Sequence, residues 1–154
     1  MMVQTREIEL STRGRSDIHD LTAGVEHLVS ESGIRDGLVA LFTPSSTSGL
    51  TTIEFEDGAL DDLRGVLDRL VPPDADYRHN LRWGDGNGHA HVRAALLGPS
   101  LCVPVQDGRL HLGTWQQIVF IDFDVRPRRR KVLVQILGET GQPAPVERRR
   151  KARP

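Results

Sequence analysis

One ten-residue run limits the possible folds more than any other part of this chain of 154 residues. The run Trp115–Asp124, WQQIVFIDFD, has apolar side chains at Ile118 and Phe120 and also at Val119 and Ile121. Because successive side chains of a strand point to opposite faces, both faces of this strand must be covered. Only two long helices are predicted to cover it, so we expect part of the sheet to contact another subunit.

Helical periodicity appears in two long segments and one short one. The first long helix is predicted to begin at Asp17 as its N-cap and to end at Gly33. The second covers residues 59–71 and is stopped by the proline at Pro72. Good helix formers also predict a short helix over residues 91–98.

Strands are predicted in the remaining apolar or alternating segments. These are residues 3–11, 37–43, 50–55, 101–105, 109–112, 115–124 and 131–137. The pair Asp107-Gly108 is a strong signal for a tight hairpin turn between two of them. The early strands are separated by helices and the later ones by turns, so the predicted class is α+β with mainly antiparallel sheets.

Composition indicates one soluble domain over residues 1–141. Apolar residues make up 38% and charged residues 27% of the chain, and no apolar run approaches the roughly 20 residues that span a bilayer. The N-terminus lacks the apolar core of a signal peptide, so we expect a cytoplasmic protein with no membrane partner. The single Cys102 follows Leu101 in an apolar run and is predicted to be buried.

The chain ends in a basic segment, residues 142–154, that includes the run Arg148–Lys151. Clustered arginines can bind nucleic acid, which is one interpretation of this tail. The segment has no apolar periodicity, however, and a solvated, flexible tail explains it better. We therefore expect no nucleic-acid partner.

Three of the six histidines, His79, His89 and His91, lie within thirteen positions of one another. On an extended strand, the spacing of His89 and His91 would point both side chains to one face, with Cα atoms about 7 Å apart. Gly84 and Gly86 favour such irregular geometry because glycine tolerates positive φ. Three imidazoles can hold a divalent metal and leave one position open, so these histidines are the predicted metal ligands.

Three interpretations of this cluster remain open. In the first, the histidines bind a metal, and Asp85 or Glu54 is a further ligand or orients one. In the second, no metal is present, and the histidines with Arg93 or Arg109 bind an anion such as a phosphate. In the third, the cluster is only structural. Gln116 either lines the same cleft or satisfies backbone groups of its own loop.

A set of motifs in fixed order resembles the YjbQ-like family, whose members are described as uncharacterised and sometimes as secondary thiamine-phosphate synthases. The motifs are GDGNGHAH, LLGPS, VPV, DGRLHLGTWQ and VLVQILGE, and the similarity covers nearly the whole chain. The resemblance implies an α+β fold that assembles as a homotrimer, with sheets packed around the three-fold axis. It also implies a cleft for a divalent metal (zinc or magnesium) or an anion.

The resemblance assigns roles to particular residues. His79 and His91 match recurrent histidines of the family, and Glu54 and Asp85 match recurrent acids, so these four are the expected catalytic residues. Ser45 stands where many members have the first histidine of the cleft. The implied activity is a weak transfer that joins a pyrimidine pyrophosphate to a thiazole phosphate.

The phosphorylated substrate of such a transfer would be bound by Arg93, Arg109 and Gln116. The alternative hypothesis is a trimeric protein that binds metal or phosphate without catalysis.

Overall fold

The computed structural model describes residues 1–141, which form two sheets and four helices. The strands are β1 (Met2–Thr12), β2 (Asp17–Asp20), β3 (Asp36–Phe42), β4 (Ser48–Ile53), β5 (Ser100–Gln106), β6 (Arg109–Leu110), β7 (Gln117–Asp122) and β8 (Arg128–Glu139). The helices are α1 (Thr22–Ser32), α2 (Asp57–Leu70), α3 (Arg78–Trp83) and α4 (Gly88–Leu97). The predicted flexible tail, residues 142–154, lies outside the described residues.

Both sheets are antiparallel throughout, which confirms the predicted α+β class. The larger sheet has the order β1-β8-β3-β5-β6 and the smaller one the order β2-β7-β4. Asp107 and Gly108 adopt φ of 53° and 75° between β5 and β6, so the predicted tight turn is confirmed.

Strand β7 lies between two hydrophobic cores. Ile118 and Phe120 pack into the core beneath the larger sheet and α1, whereas Val119 and Ile121 pack into a second core with residues of α2 and α4. All four side chains are fully buried. The predicted two-sided strand is therefore confirmed, but one chain covers both of its faces, so this strand does not require a second subunit.

The predicted start of the first helix is wrong. Asp17 lies in β2, and the helix begins at Thr22, whose backbone N–H donates to the Asp20 carboxylate at 2.8 Å. Its predicted end is confirmed, since Gly33 has φ of 69°. The second helix begins two residues earlier than predicted, where Glu56 accepts hydrogen bonds from the backbone of the first turn.

Residues 77–98 form two packed helices, and α3 was not predicted. The short helix predicted from residue 91 begins instead at Gly88. A Cβ atom on Gly88 would lie 2.4 Å from Cβ of Tyr77, so only glycine allows α3 and α4 to approach this closely. His89 and His91 are thus on a helix, and the extended geometry predicted for them is wrong.

The outer face of the larger sheet carries several apolar side chains. Phe42 is 44% exposed, Cys102 and Pro104 are exposed, and Leu38 is half-buried. The prediction that Cys102 is buried is wrong, because on β5 the alternating side chains of Val103 and Val105 face the core instead. Within residues 1–141, none of the helices has the length and apolar character needed to cross a membrane.

Candidate metal site and anion cleft

His79, Asp85 and His91 form a compact group at the junction of α3 and α4. One potential ligand atom from each residue lies within 4.8 Å of the other two. Nε2 of His79 is 3.4 Å from both carboxylate oxygens of Asp85. The rings of His79 and His91 have their centroids 4.4 Å apart. The structure thus brings together two predicted histidine ligands and one predicted acid.

The glycine-rich loop between the two helices places Asp85 in this group. Gly84 ends α3 with φ of 64°, and its N–H donates to the carbonyl of Asn80 at 2.8 Å. Gly86 has φ of 71°, a conformation that side-chain-bearing residues rarely adopt. The side-chain oxygen of Asn80 accepts a hydrogen bond from the N–H of Gly88 at 2.8 Å. These bonds hold the carboxylate of Asp85 between the two helices.

The charge state of Asp85 suits metal binding. The backbone N–H of Asn87 donates to its carboxylate at 3.1 Å, and this bond, with a smaller contribution from His79, lowers the pKa of Asp85 below its usual range. The side chains of His79 and Asp85 are 31% and 38% exposed. A bound ion would therefore have charged and neutral ligands on one side and access to solvent on the other.

The donor atoms fit zinc better than magnesium. Zinc bonds of about 2.0–2.2 Å put neighbouring ligand atoms of a tetrahedral site about 3.3–3.5 Å apart. Nε2 of His79 and the Asp85 carboxylate match that spacing at 3.4 Å, and all three ligand atoms lie within 4.8 Å of one another. Magnesium prefers oxygen ligands and octahedral geometry, which two imidazoles and one carboxylate do not provide. Three protein ligands leave the fourth tetrahedral position open for water or substrate.

A cleft of about 520 Å³ adjoins this group, and we call it the anion cleft. Its walls include the hydroxyl residues Ser45, Ser46 and Thr47, and the arginines at positions 128–130. His91 lines the cleft and also belongs to the metal group. The two features therefore share one side chain.

Buried acids behind the cleft fix two of its arginines. Arg130 forms two parallel bonds to the fully buried Asp122, at 2.7 and 2.8 Å. Arg128 bonds to the buried Asp124 at 3.0 Å. Burial raises the pKa of Asp124, but hydrogen bonds from the Arg128 side chain and the backbone N–H of Arg126 outweigh this effect and lower it. Within residues 1–141, both acids form ion pairs with Arg128 and Arg130 only, so Arg129 in the cleft lining supplies the positive charge that remains.

Sequence reasoning did not assign these residues to the site. The signal was present in the sequence, since the acids at 122 and 124 and the arginines at 128 and 130 have the two-residue spacing of a strand face.

His89 and Arg93 lie away from the metal group. A two-residue step on a helix rotates the side chain by about 200°, so His89 points away from His91. His89 is buried and its ring centroid lies 6.3 Å from that of Tyr77. Arg93 is 3% exposed and donates to the carbonyl of Val71 at 2.6 and 3.0 Å.

The other predicted residues are also not brought together with His79 and His91. Glu54 is exposed after β4 and lines neither the metal group nor the anion cleft. Arg109 borders a separate cavity beside α1. The side-chain oxygen of Gln116 accepts a hydrogen bond from the N–H of Gly113 at 3.1 Å, as expected if it satisfies its own loop.

A family model described as UPF0047 protein YjbQ-like matches residues 6–139. The chain belongs to the YjbQ family. A UPF0047 relative from Archaeoglobus fulgidus is 44% identical over 131 residues, which cover 85% of this chain and 99% of the relative. Another from Methanothermobacter thermautotrophicus is 41% identical over 139 residues, covering 90% of this chain and 95% of the relative.

Solved structures of YjbQ proteins share the fold. A crystal structure of a YbjQ-like protein of unknown function from Sulfolobus solfataricus superimposes with a TM-score of 0.85 at 35% identity, covering 90% of this chain and 99% of that one. An uncharacterised YjbQ/UPF0047 protein from Clostridium acetobutylicum gives 0.79 at 38% identity, covering 86% and 99%. These YjbQ relatives are described as uncharacterised or of unknown function, so membership of the family identifies the fold and not an activity.

Proposed function

We propose that this chain binds a divalent metal through His79, Asp85 and His91 and holds a phosphorylated substrate in the anion cleft. Zinc is the metal we expect. The observation that carries the proposal is the double position of His91, which belongs to the metal group and lines the cleft. A substrate phosphate in the cleft would lie beside the open coordination position of the ion.

The reaction we propose is of the thiamine-phosphate synthase type. The carbon–oxygen bond between a pyrimidinylmethyl group and its pyrophosphate breaks, pyrophosphate leaves with the electron pair, and the ring nitrogen of a thiazole phosphate bonds to the freed carbon. Such a nitrogen carries no proton, so the step needs no general base. The exposed position of Glu54, outside the cleft, is compatible with this chemistry.

Stabilising the departing pyrophosphate is the main requirement of this reaction. Arg129 supplies the unbalanced positive charge, and the hydroxyl groups of Ser45 and Ser46 are placed to donate hydrogen bonds. The buried pairs that fix Arg128 and Arg130 keep the cleft pre-formed. A bound metal would supply Lewis-acid stabilisation of negative charge.

A second candidate function is metal or phosphate binding without turnover. The pairing of Arg128 and Arg130 with buried acids favours it, because two of the three arginine charges are already balanced within the chain. Less positive charge then remains for a leaving group such as pyrophosphate.

Incubation of both precursors with untagged protein and zinc or magnesium tests the enzyme proposal. We expect thiamine phosphate to form with the wild type and with His27→Ala, a matched change at an exposed histidine. The double variant His79→Ala/His91→Ala should form none above background. Equal product in the double variant and the wild type would end the enzyme claim. Stoichiometric metal without any product would favour the binding protein.

We also propose that the chain assembles as a homotrimer, as its resemblance to the family implies. The apolar outer face of the larger sheet, with Phe42 and Cys102, supports an interface there. Sedimentation at micromolar concentration should give a species of about 51 kDa, three times the 17.1 kDa chain. A 17 kDa species would contradict the proposal.

A further inference from the structure

We propose a second ligand site, separate from the metal group and the anion cleft, which binds a small phosphorylated molecule on the buried side of α4. A cavity of about 530 Å³ lies between α2, α4 and residues 13–16, which connect β1 and β2. We call it the inner cavity. Its lining includes Arg15, Ser16, Arg64, Asp68, His89 and Arg93.

His89 provides the first evidence that the inner cavity is a binding site. The side chain is only 5% exposed, and Nδ1 has no hydrogen-bond partner in the part of the chain that the structure describes. Leaving a buried polar atom unpaired costs about 1–3 kcal/mol, so natural proteins rarely keep one without a reason. His89 lines the inner cavity, so a small shift of its ring would let Nδ1 form a hydrogen bond with a ligand there.

Most of the remaining hydrogen-bonding capacity around His89 consists of donors, and the charged acceptors in the lining are the exposed carboxylates of Asp68 and Asp74. Arg93 uses all but one of its N–H groups on the Val71 carbonyl, the Ser16 hydroxyl and the Asp68 carboxylate. The hydroxyl oxygen of Ser16 accepts from Arg93 at 3.1 Å, which leaves its own proton to donate. A ligand that completes this set must be an acceptor, and a charged oxyanion is the strongest acceptor available.

Charge and geometry favour a phosphoryl group over a carboxylate. The lining has three arginines, at positions 15, 64 and 93, and two aspartates, Asp68 and Asp74, both exposed. The donors come from three separate elements, which suits the three terminal oxygens of a phosphate monoester better than two coplanar oxygens. The volume is within the usual range of about 300–1,000 Å³ for small-molecule sites and exceeds what one phosphate needs. The ligand therefore includes an organic part.

The connecting loop that forms one wall of the inner cavity is strained. Gly14, Arg15 and Ser16 have φ of 74°, 57° and 61°, so three consecutive residues are left-handed. This conformation costs non-glycine residues roughly 1–2 kcal/mol each. The loop is held by a bond from the N–H of Arg15 to the carbonyl of Asp124 at 2.7 Å, and Arg93 binds Ser16. Strain of this kind is concentrated at functional sites, where it positions side chains toward a ligand.

The inner cavity and the anion cleft share no lining residue. Asn87 lies between them, where its side-chain oxygen accepts a hydrogen bond from the N–H of Val125 at 3.1 Å. Asn87 lines the anion cleft and Val125 the inner cavity. The proposal therefore does not depend on metal binding or on catalysis at the first site.

Nuclear magnetic resonance of the histidine rings tests the proposal residue by residue. The ring signals of His89 are assigned through their backbone connectivity and followed at constant pH while inorganic phosphate, phenyl phosphate or acetate is added. We expect saturable shifts with both phosphates, and at least about tenfold weaker binding in Arg15→Gln, since a charge-assisted hydrogen bond is worth about 1.5–3 kcal/mol. Arg15 is exposed, so this variant should fold.

Two matched variants complete the experiment. Arg69→Gln changes an exposed arginine of α2 that does not line the inner cavity, and it should bind phosphate within about twofold of the wild type. His91→Ala should also leave the phosphate-induced shifts of the His89 ring unchanged, even if this variant no longer binds metal. The proposal is overturned if His89 does not respond, if acetate binds as tightly as phosphate, or if Arg69→Gln weakens binding as much as Arg15→Gln.

Discussion

The two sides of helix α4 carry similar residues in opposite environments. His91 is half-buried and meets His79 and Asp85 beside an open cleft, whereas His89 is 5% exposed and lies next to the buried Arg93. An ion that must bind substrate needs an open position, which only the first side offers. On the second side, desolvation strengthens every polar contact and makes an unpaired group costly. One helix thus separates an open side suited to metal chemistry from a side whose buried contacts hold the fold together and border the inner cavity.

The largest expected effect is the loss of stability when Arg93 is replaced. In Arg93→Met, the carbonyl of Val71 and the hydroxyl of Ser16 lose buried donors, so the free energy of unfolding should fall by about 3 kcal/mol or more. His91→Ala, on the open side of the same helix, should change it by less than about 1 kcal/mol without metal. Urea denaturation at pH 7 measures both. Similar losses in the two variants would contradict the contrast between the sides.

Zinc should stabilise the protein through the open side alone. At a free concentration about 100 times the dissociation constant, a ligand that binds only the folded state adds about 2.7 kcal/mol to the free energy of unfolding. We expect this gain in the wild type and in His27→Ala, and none in His91→Ala. Unfolding with and without zinc measures the difference. If the gain persisted in His91→Ala, the proposed ligand set would be wrong.

Asp17, which directly follows the connecting loop, should also determine part of the acid stability. Burial raises the pKa of Asp17, but hydrogen bonds from Arg13 and His19 outweigh burial and lower it to about 2. Ionised Asp17 therefore stabilises the fold above its unfolded pKa of about 3.9, and this contribution disappears as the pH falls through about 2. Because Arg13 is 87% exposed, screening reduces the contribution to about 1–2 kcal/mol.

Asp17→Asn tests that expectation. At pH 7 the free energy of unfolding of the variant should be about 1–2 kcal/mol lower than that of the wild type. This difference should narrow between about pH 4 and pH 2 as the wild-type carboxylate is protonated. Asp62→Asn, at an exposed aspartate of α2, serves as the control. Urea unfolding across this pH range checks the result. A gap that stays constant with pH would show that the charge of Asp17 is not responsible.

The sequence predicts the helices and strands better than the candidate site, because helices and strands depend on local patterns whereas the site depends on tertiary contacts. The alternation in residues 115–124 and the Asp-Gly turn are local signals, and both are confirmed. The pairing of His79 with His91 depends on the close approach of two helices at Gly88, which no local pattern reveals. From the sequence we group His89 with His91, because we interpret their two-residue spacing as that of a strand. Helix α4 begins three residues earlier than predicted, at Gly88, so both histidines are helical and point in different directions. The buried pair of Asp122 and Arg130 is likewise a tertiary contact.

The smallest expected effect comes from relieving the backbone strain at Arg15, in the loop that borders the inner cavity. Arg15→Gly removes the left-handed penalty of about 1–2 kcal/mol but adds a backbone entropy cost of about 0.5–1 kcal/mol, so the free energy of unfolding should rise by up to about 1 kcal/mol. Arg126→Gly, at an exposed arginine with ordinary φ, should lower it instead. Phosphate binding followed at His89 should weaken at least tenfold in Arg15→Gly and stay unchanged in Arg126→Gly. A gain in stability together with a loss of binding is what a loop strained for function should give. If Arg15→Gly were more stable and bound phosphate normally, the strain would have no part in ligand binding.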